Sequence, residues 1–336
     1  MTIEEIERAC DRSQPLDFSR HFLEAPALSL RHVFHPLGFP TELRTNSPEV
    51  MAEAEDVWRI FDKRFDTEPI QVDIHVTATN STDCPPTPEY QFLPPLFMAV
   101  ANAENYSIVD LSRNTTQIAV SQAALRHKLY FRYFFLEQAG ACHIATRFTT
   151  PVHAACVALD GRGLLLCGDS GAGKSTLAYA CARSGWTYVS DDSSLLLSCK
   201  VHERIVMGNC HQVRFRPTAA ELFPEVRGLD ITPRAAGKPS IELSTADMLH
   251  MNCAEHAKID FLVFLNRRAG ASPKLVPYRT DVARYYMRQV LYGASESLAK
   301  QYDAIEHLLA AEIFELRYSD LDWAVDRLRM LVREGR

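Results

Sequence analysis

The sequence predicts an α/β domain over residues 141–336, preceded by a smaller α+β domain over 1–140. Two patterns carry that expectation. Between about residues 149 and 265, apolar runs alternate with glycine-containing turns and short helical stretches, the rhythm of strands joined by crossover helices. Upstream, a helical stripe gives way to a strictly alternating strand and then to a proline-rich excursion. A chain of 336 residues has room for about two domains at ~150 residues each.

In chain order, Ser47 is placed to cap a helix whose first residue is Pro48 and whose stripe runs Val50, Ala54, Val57, Trp58, Phe61, Phe65. Next, Ile70, Val72, Ile74 and Val76 alternate with Gln71, Asp73 and His75, which predicts a half-buried strand with one wet face. Residues 77–95 hold five prolines, at 85, 86, 88, 94 and 95, and read as a surface loop. The aromatic run 129–136 (LYFRYFFL) carries no period and leaves helix and buried strand both open, with a helix packed against the following domain favoured. Beyond residue 273, helices are expected over 281–292 and 296–309 and a strand over 313–317. A last helix is expected to be capped by Ser319 with Asp322, with Leu321, Val325, Leu328 and Val332 on its apolar face.

Composition excludes several classes. With 36 basic against 42 acidic residues, the net charge of -6 supplies no global positive field, so no nucleic-acid partner is expected. The uncharged stretch 90–103 contains Pro94 and Pro95 and falls short of the ~20 residues that span a bilayer, so no membrane partner is expected either. The acidic start MTIEEIERACDRSQ does not read as a signal peptide, which favours a cytoplasmic location. The nine cysteines show no CxxC pair and read as reduced thiols.

Residues Gly168, Asp169, Ser170, Gly171, Ala172, Gly173, Lys174 and Ser175 fit G-x-x-x-x-G-K-[ST]. Leu164, Leu165 and Leu166 form a strand just before it; a helix follows, with Leu177, Ala180 and Cys181 on one side and Gly185 as terminator. In that context the glycines let backbone N–H groups wrap a polyphosphate, Lys174 adds a point charge and Ser175 offers an oxygen to Mg²⁺. Thr176 closes the loop's binding set. The next strand, 186–190 (WTYVS), ends at Asp191 and Asp192, where parallel sheets bind ligands; one carboxylate suits Mg²⁺ and the other a hydroxyl proton. An Asp160-Gly161 hairpin places His153 opposite Ser170 or, in a register shifted by two, opposite Gly168. There it could orient the γ-phosphate or tune a carboxylate.

The run from His153 through the glycine-rich loop to Asp191 and Asp192 resembles the catalytic domain of HPr kinase/phosphorylase and the HPr-kinase-like serine kinases. The resemblance covers about residues 149–265 and implies a mixed-sheet, P-loop nucleotide-binding fold related to phosphoenolpyruvate carboxykinase. It implies that His153 is a catalytic-site histidine, Lys174 the phosphate lysine, Ser175 a Mg²⁺ ligand, Asp192 the base on a substrate serine and Asp191 the metal's support. Glu225, in Glu225-Val226-Arg227-Gly228, echoes a metal-binding segment of the family. Thr176 stands where the family usually has Glu, and the first 140 residues do not resemble the family's N-terminal domain.

Arg214, Arg216, Lys238, Arg267 and Arg268 are further cations within reach of phosphate, and Glu242, four residues after Lys238, rivals Glu225 as a metal ligand. The expected function is an ATP- and Mg²⁺-dependent kinase acting on a serine of a protein or peptide, recognised by the N-terminal domain. Two alternatives stay open: a small-molecule acceptor such as free serine, and an ATP-binding regulatory module without catalysis. A homo-oligomer is also left open.

Overall fold

In the computed structural model, residues 2–14, 27–232, 239–248, 251–267 and 272–335 are described. Helix α1 (Ile3–Asp11) carries a capping box between Thr2 and Glu5 and buries none of its residues. The first sheet has seven strands: β1 (Leu30–Phe34), β2 (Thr41–Thr45), β3 (Ile70–Thr77), β4 (Glu89–Leu93), β5 (Leu96–Asn102), β6 (Asn105–Asp110) and β7 (Thr115–Ser121). Their order is β1-β2-β3-β7-β6-β5-β4, with β2, β3 and β7 mutually parallel and the flanking pairs antiparallel.

Helix α2 (Pro48–Trp58) is the crossover from β2 to β3. Ser47 caps it, its hydroxyl accepting from the Val50 N–H at 3.4 Å, and Val50, Ala54 and Trp58 are buried. Phe65 lies beyond the helix and stacks on Phe39, with ring centroids 4.1 Å apart.

Two expectations for this region need correction. The polar face of β3 is only partly wet: Gln71 and His75 are half-buried, and Asp73 is 6% exposed because side chains of the neighbouring strands close over it, its carboxylate accepting from Arg44 Nε and Nη2 at 2.6 Å each and from Gln117 Nε2 at 2.8 Å. The stretch 77–95 is not loop throughout. Its last residues form β4, which among the described strands pairs with β5 alone at the outer edge; Leu93 faces Leu96, so Pro94 and Pro95 make the turn, where prolines do no harm to a ladder.

Helices α3 (Gln122–Arg126), α4 (Lys128–Phe131) and α5 (Glu137–His143) continue the chain, with π-helical turns at Arg132–Leu136 and Ile144–Phe148. As expected, 129–136 is helical. Phe131, Phe135 and Leu136 share one apolar cluster with Leu43 and Ile74 of the first sheet and with Leu195, Leu197 and Met207 of the second.

The second sheet is mixed. Its strands are β8 (Thr149–Val152), β9 (Ala154–Leu159), β10 (Arg162–Cys167), β11 (Thr187–Ser190), β12 (Ser194–Leu197) and β13 (Ile205–Gly208), joined by β17 (Asn252–Cys253), β18 (His256–Arg267), β19 (Lys274–Pro277) and β20 (Glu312–Tyr318). The main order is β17-β11-β9-β10-β18-β13-β12-β8, with β20 beside β18 and β19 beside β20. A separate three-stranded sheet joins β14 (Gln212–Phe215), β16 (Ser240–Ser244) and β15 (Ile231–Thr232).

Helices sandwich the large sheet. Leu164 and Leu166 of β10 face α6 (Lys174–Arg183) and α9 (Leu321–Glu334), packing with Leu177 and Leu328; Leu165 and Cys167 face α7 (Thr280–Arg288) and α8 (Ser295–Leu308), packing with Met287 and Ile305. This two-residue period on a strand covered on both sides explains why 164–167 is apolar without interruption. Each such Leu removed from water contributes on the order of 2 kcal/mol. Helix α7 ends at Arg288, short of the expected 292. The cap of α9 is Asp320, not Ser319 with Asp322: Asp320 Oδ1 accepts from the Trp323 N–H at 2.7 Å, so the helix starts one residue later than the pattern suggested. Among the described residues no helix is long and apolar enough to cross a membrane.

Candidate functional site

β10 and β9 form the hairpin that brings the site together. Leu159 pairs with Arg162 and Ala154 with Cys167, so the shifted register holds and His153 lies opposite Gly168. Past Cys167 the chain turns through the loop and enters α6 at Lys174. Gly173, at φ 98°, is the N-cap, a backbone conformation that a side chain would strain; at Gly168 a Cβ would stand 2.8 Å from that of Ala172. The amide ends of α6 face a cavity of about 550 Å³, in the size range of small-ligand sites.

Lys174 is 5% exposed yet its three donors are used: Nζ lies 2.8 Å from Gly168 O, 3.4 Å from Asp169 O and 2.9 Å from His153 Nε2. An ammonium only donates, so His153 Nε2 accepts and the neutral ring carries its proton on Nδ1. That atom is 3.6 Å from Asp192 Oδ1, itself 3.4 Å from Lys174 Nζ. Burial pushes the His153 pKa down, aided by Lys174 and opposed by Asp192 and Asp169. The imidazole is therefore neutral at pH 7.

The twin acids after β11 face different partners. Asp191 ties structure together: its backbone carbonyl accepts from Ser175 Oγ at 3.3 Å and its Oδ2 from the Arg214 N–H of β14 at 2.7 Å. Asp192, with its side chain 52% exposed, opens towards His153 and Lys174.

The opposite wall comes from Tyr133 and Glu137 of the helical connection and from Arg214 and Arg216. The Arg214 guanidinium sits 5.6 Å from the Tyr133 ring centre, between Glu137 at 3.5 Å and Glu242 at 3.1 Å. Burial opposes its charge, but Glu137, Glu242 and Asp191 outweigh burial and hold its pKa above the usual value. Arg216 Nη2 donates to Ser170 Oγ at 2.9 Å.

Of the residues singled out from sequence, His153, Ser170, Gly171, Gly173, Lys174, Ser175, Thr176, Asp191, Asp192, Arg214, Arg216 and Arg267 line this cavity, whereas Gly168, Asp169 and Ala172 shape the turn behind it. The two acids considered for a further metal contact do not line it. Glu225 accepts from the Tyr179 hydroxyl at 2.8 Å and pairs with Arg183 at 3.3 Å; Glu242 lies behind Arg214 and accepts from Gln212 Nε2 at 2.7 Å. Lys238 and Arg268 fall outside the described residues.

Sequence reasoning missed Tyr133, Glu137 and Tyr286. The Tyr286 hydroxyl, from α7, accepts from the Gly168 N–H at 3.1 Å and lies 2.7 Å from Gly168 O and 3.0 Å from His153 O, pinning the hairpin end to the loop. Nothing in the local sequence signals it.

Ser175 Oγ and the Asp191 and Asp192 carboxylates form an all-oxygen donor set, which fits a hard cation such as Mg²⁺. Among the described residues no group of three or more His, Cys, Asp or Glu could hold a metal by itself. Mg²⁺ commonly completes its shell with water and phosphate oxygens, so that set is compatible with a metal arriving on a phosphate.

The model of a family described as SynChlorMet cassette protein ScmC matches residues 133–238, an interval that starts at Tyr133 and takes in His153, Lys174, Asp192 and Arg214. No curated protein matches the chain. Among solved structures, the HPr(Ser) kinase/phosphatase from Coxiella burnetii is similar over 56% of this chain and 96% of its own, at 13% identity and a TM-score of 0.30.

Proposed function

We propose that this protein is an ATP- and Mg²⁺-dependent kinase that transfers the γ-phosphoryl group to a serine hydroxyl of a protein or peptide. The observation that carries the reading is the convergence of Lys174, His153, Asp192 and Ser175 on one cavity at the N-terminus of α6. Mg-ATP, when bound, supplies the phosphoryl group and a metal that offsets the charge building on its oxygens. Lys174 would exchange its contacts with carbonyl oxygens for phosphate oxygens, and the α6 amides add the positive end of the helix dipole. Asp192, open to the cavity, would accept the acceptor hydroxyl's proton. Neutral His153 would face Asp192 with its Nδ1–H and limit the repulsion a second cation would add beside Lys174. Ser175 and Asp191 would hold the metal, and Arg214, locked by Glu137 and Glu242, fixes Asp191 through its backbone N–H. On this reading residues 141–336, joined at the cavity wall by Tyr133 and Glu137, carry the chemistry and the rest of residues 1–140 recognise the substrate.

The test is ATP consumption by the full chain with serine-containing peptides, with Lys174→Ala and Asp192→Asn as controls. ADP release that requires peptide, appears with phosphoserine and vanishes in both variants is the expected result. Turnover with free serine alone would replace the peptide acceptor by a metabolite, and tight ATP binding without any turnover would refute the kinase.

A further inference from the structure

A second cavity, of about 200 Å³, adjoins the first; Gly173, Thr176 and Arg267 line both. It lies where the topology favours a ligand. Strands β10, β18 and β20 are parallel neighbours, and their carboxyl ends deliver, side by side, the glycine-rich loop, Arg267 and Ser319. Ligands of α/β sheets bind outside those ends. With a triphosphate in the first cavity and its terminal phosphate by Asp192, the start of α6 at Thr176, which lines both cavities, is a way for the rest of the nucleotide into the second.

The walls suit a sugar. Tyr318 is 1% exposed, its hydroxyl abuts Gly173, and it makes no hydrogen bond among the described residues. A hydroxyl that lines a cavity without a partner of its own can meet a polar group from outside the chain. Burial pushes its pKa up to about 12, which keeps it protonated and able both to donate and to accept. Ser319 and Asp322 add further oxygens. Asp320 also faces the cavity, but its Oδ1 caps α9, which leaves Asp322 as the carboxylate for incoming donors. Arg267, at the junction, is the cation, placed for a phosphate rather than a sugar.

We infer that the second cavity is the ribose subsite of a nucleoside triphosphate, with the 2′ and 3′ hydroxyls donating to Asp322 and Arg267 meeting the α-phosphate. This inference rests on the reading of the first cavity as the triphosphate site. The two fail differently in one experiment, a calorimetric titration of the full chain in Mg²⁺ with ATP, 2′,3′-dideoxy-ATP and inorganic tripolyphosphate. Loss of hydrogen bonds to a charged partner costs about tenfold in affinity. The wild-type chain should therefore bind ATP about tenfold tighter than the dideoxy nucleotide, and tighter still than tripolyphosphate. Asp322→Ala should erase the preference for ATP over the dideoxy nucleotide and leave tripolyphosphate binding unchanged; Asp322→Asn, which keeps the shape, should weaken it. Equal binding of ATP and tripolyphosphate by the wild type, an unaltered ATP-to-dideoxy ratio in Asp322→Ala, or a variant that also loses tripolyphosphate would each overturn the ribose subsite. Failure of all three ligands to bind the wild-type chain would remove the triphosphate site and the ribose subsite together.

Discussion

The two sheets handle buried charge in opposite ways. In the first, Asp73 and Arg44 meet in a two-pronged contact at 2.6 Å and Gln117 closes the remaining side of the carboxylate. In the second, Lys174 is almost fully buried, but its nearest carboxylate, Asp192, is 3.4 Å away and half exposed. Its short contacts are to carbonyl oxygens and an imidazole. The histidines repeat the contrast: His143 is 0% exposed and closed on Thr116 Oγ1 at 2.9 Å, whereas His153 stands between Lys174 and Asp192 with one side towards the cavity. A buried charge gripped by its counter-charge in two short contacts within the sheet serves the fold. One whose counter-charge faces an open cavity is ready to exchange partners with a ligand.

The contrast breaks most visibly if the second sheet's charges prove dispensable. Lys174→Ala and Asp192→Asn should each lower phosphate transfer by on the order of 10³-fold in steady-state assays, with the thermal midpoint of Asp192→Asn close to wild type. Acidification probes the first region. Burial lowers the His143 pKa from 6.5 to about 4, so the unfolded chain binds more protons between those values. The stability this supplies is complete above pH 6.5 and is lost as pH falls through about 4, by up to about 3 kcal/mol. Urea midpoints measured from pH 7 to 4 should fall less steeply in His143→Gln. Asp73→Asn, which leaves Arg44 without its counter-charge, should cost about 2 kcal/mol, discounted because Arg44 is 42% exposed, and leave turnover per folded molecule unchanged. Smallest is Ser47→Ala, which removes the α2 cap for about 1 kcal/mol in chemical denaturation, again without a change in turnover.

What the sequence disclosed follows from how local the interactions are. The hairpin at Asp160-Gly161, the loop and the start of α6 are set by neighbours within a few residues, so turn chemistry and apolar period located them and offered the register that puts His153 against Gly168. The burial of Asp73 depends on β2 and β7, strands remote in sequence, and a period-2 pattern cannot tell an outer polar face from one sealed by Arg44 and Gln117. Tyr286 reaches Gly168 across 118 residues and leaves no local trace. Glu225 shows the converse: a likeness carried by a few residues to a family's metal-binding segment says nothing of where the side chain points, and its carboxylate meets Tyr179 and Arg183.

The most direct measurement of the central claim is a crystal structure of the full chain with Mg²⁺ and a non-hydrolysable ATP analogue. The terminal phosphate is expected within hydrogen-bonding distance of Lys174 Nζ, the metal beside Ser175 and the Asp192 carboxylate facing the transferable group. An analogue bound elsewhere, or one whose phosphates leave Lys174 on Gly168 O and His153, would contradict it.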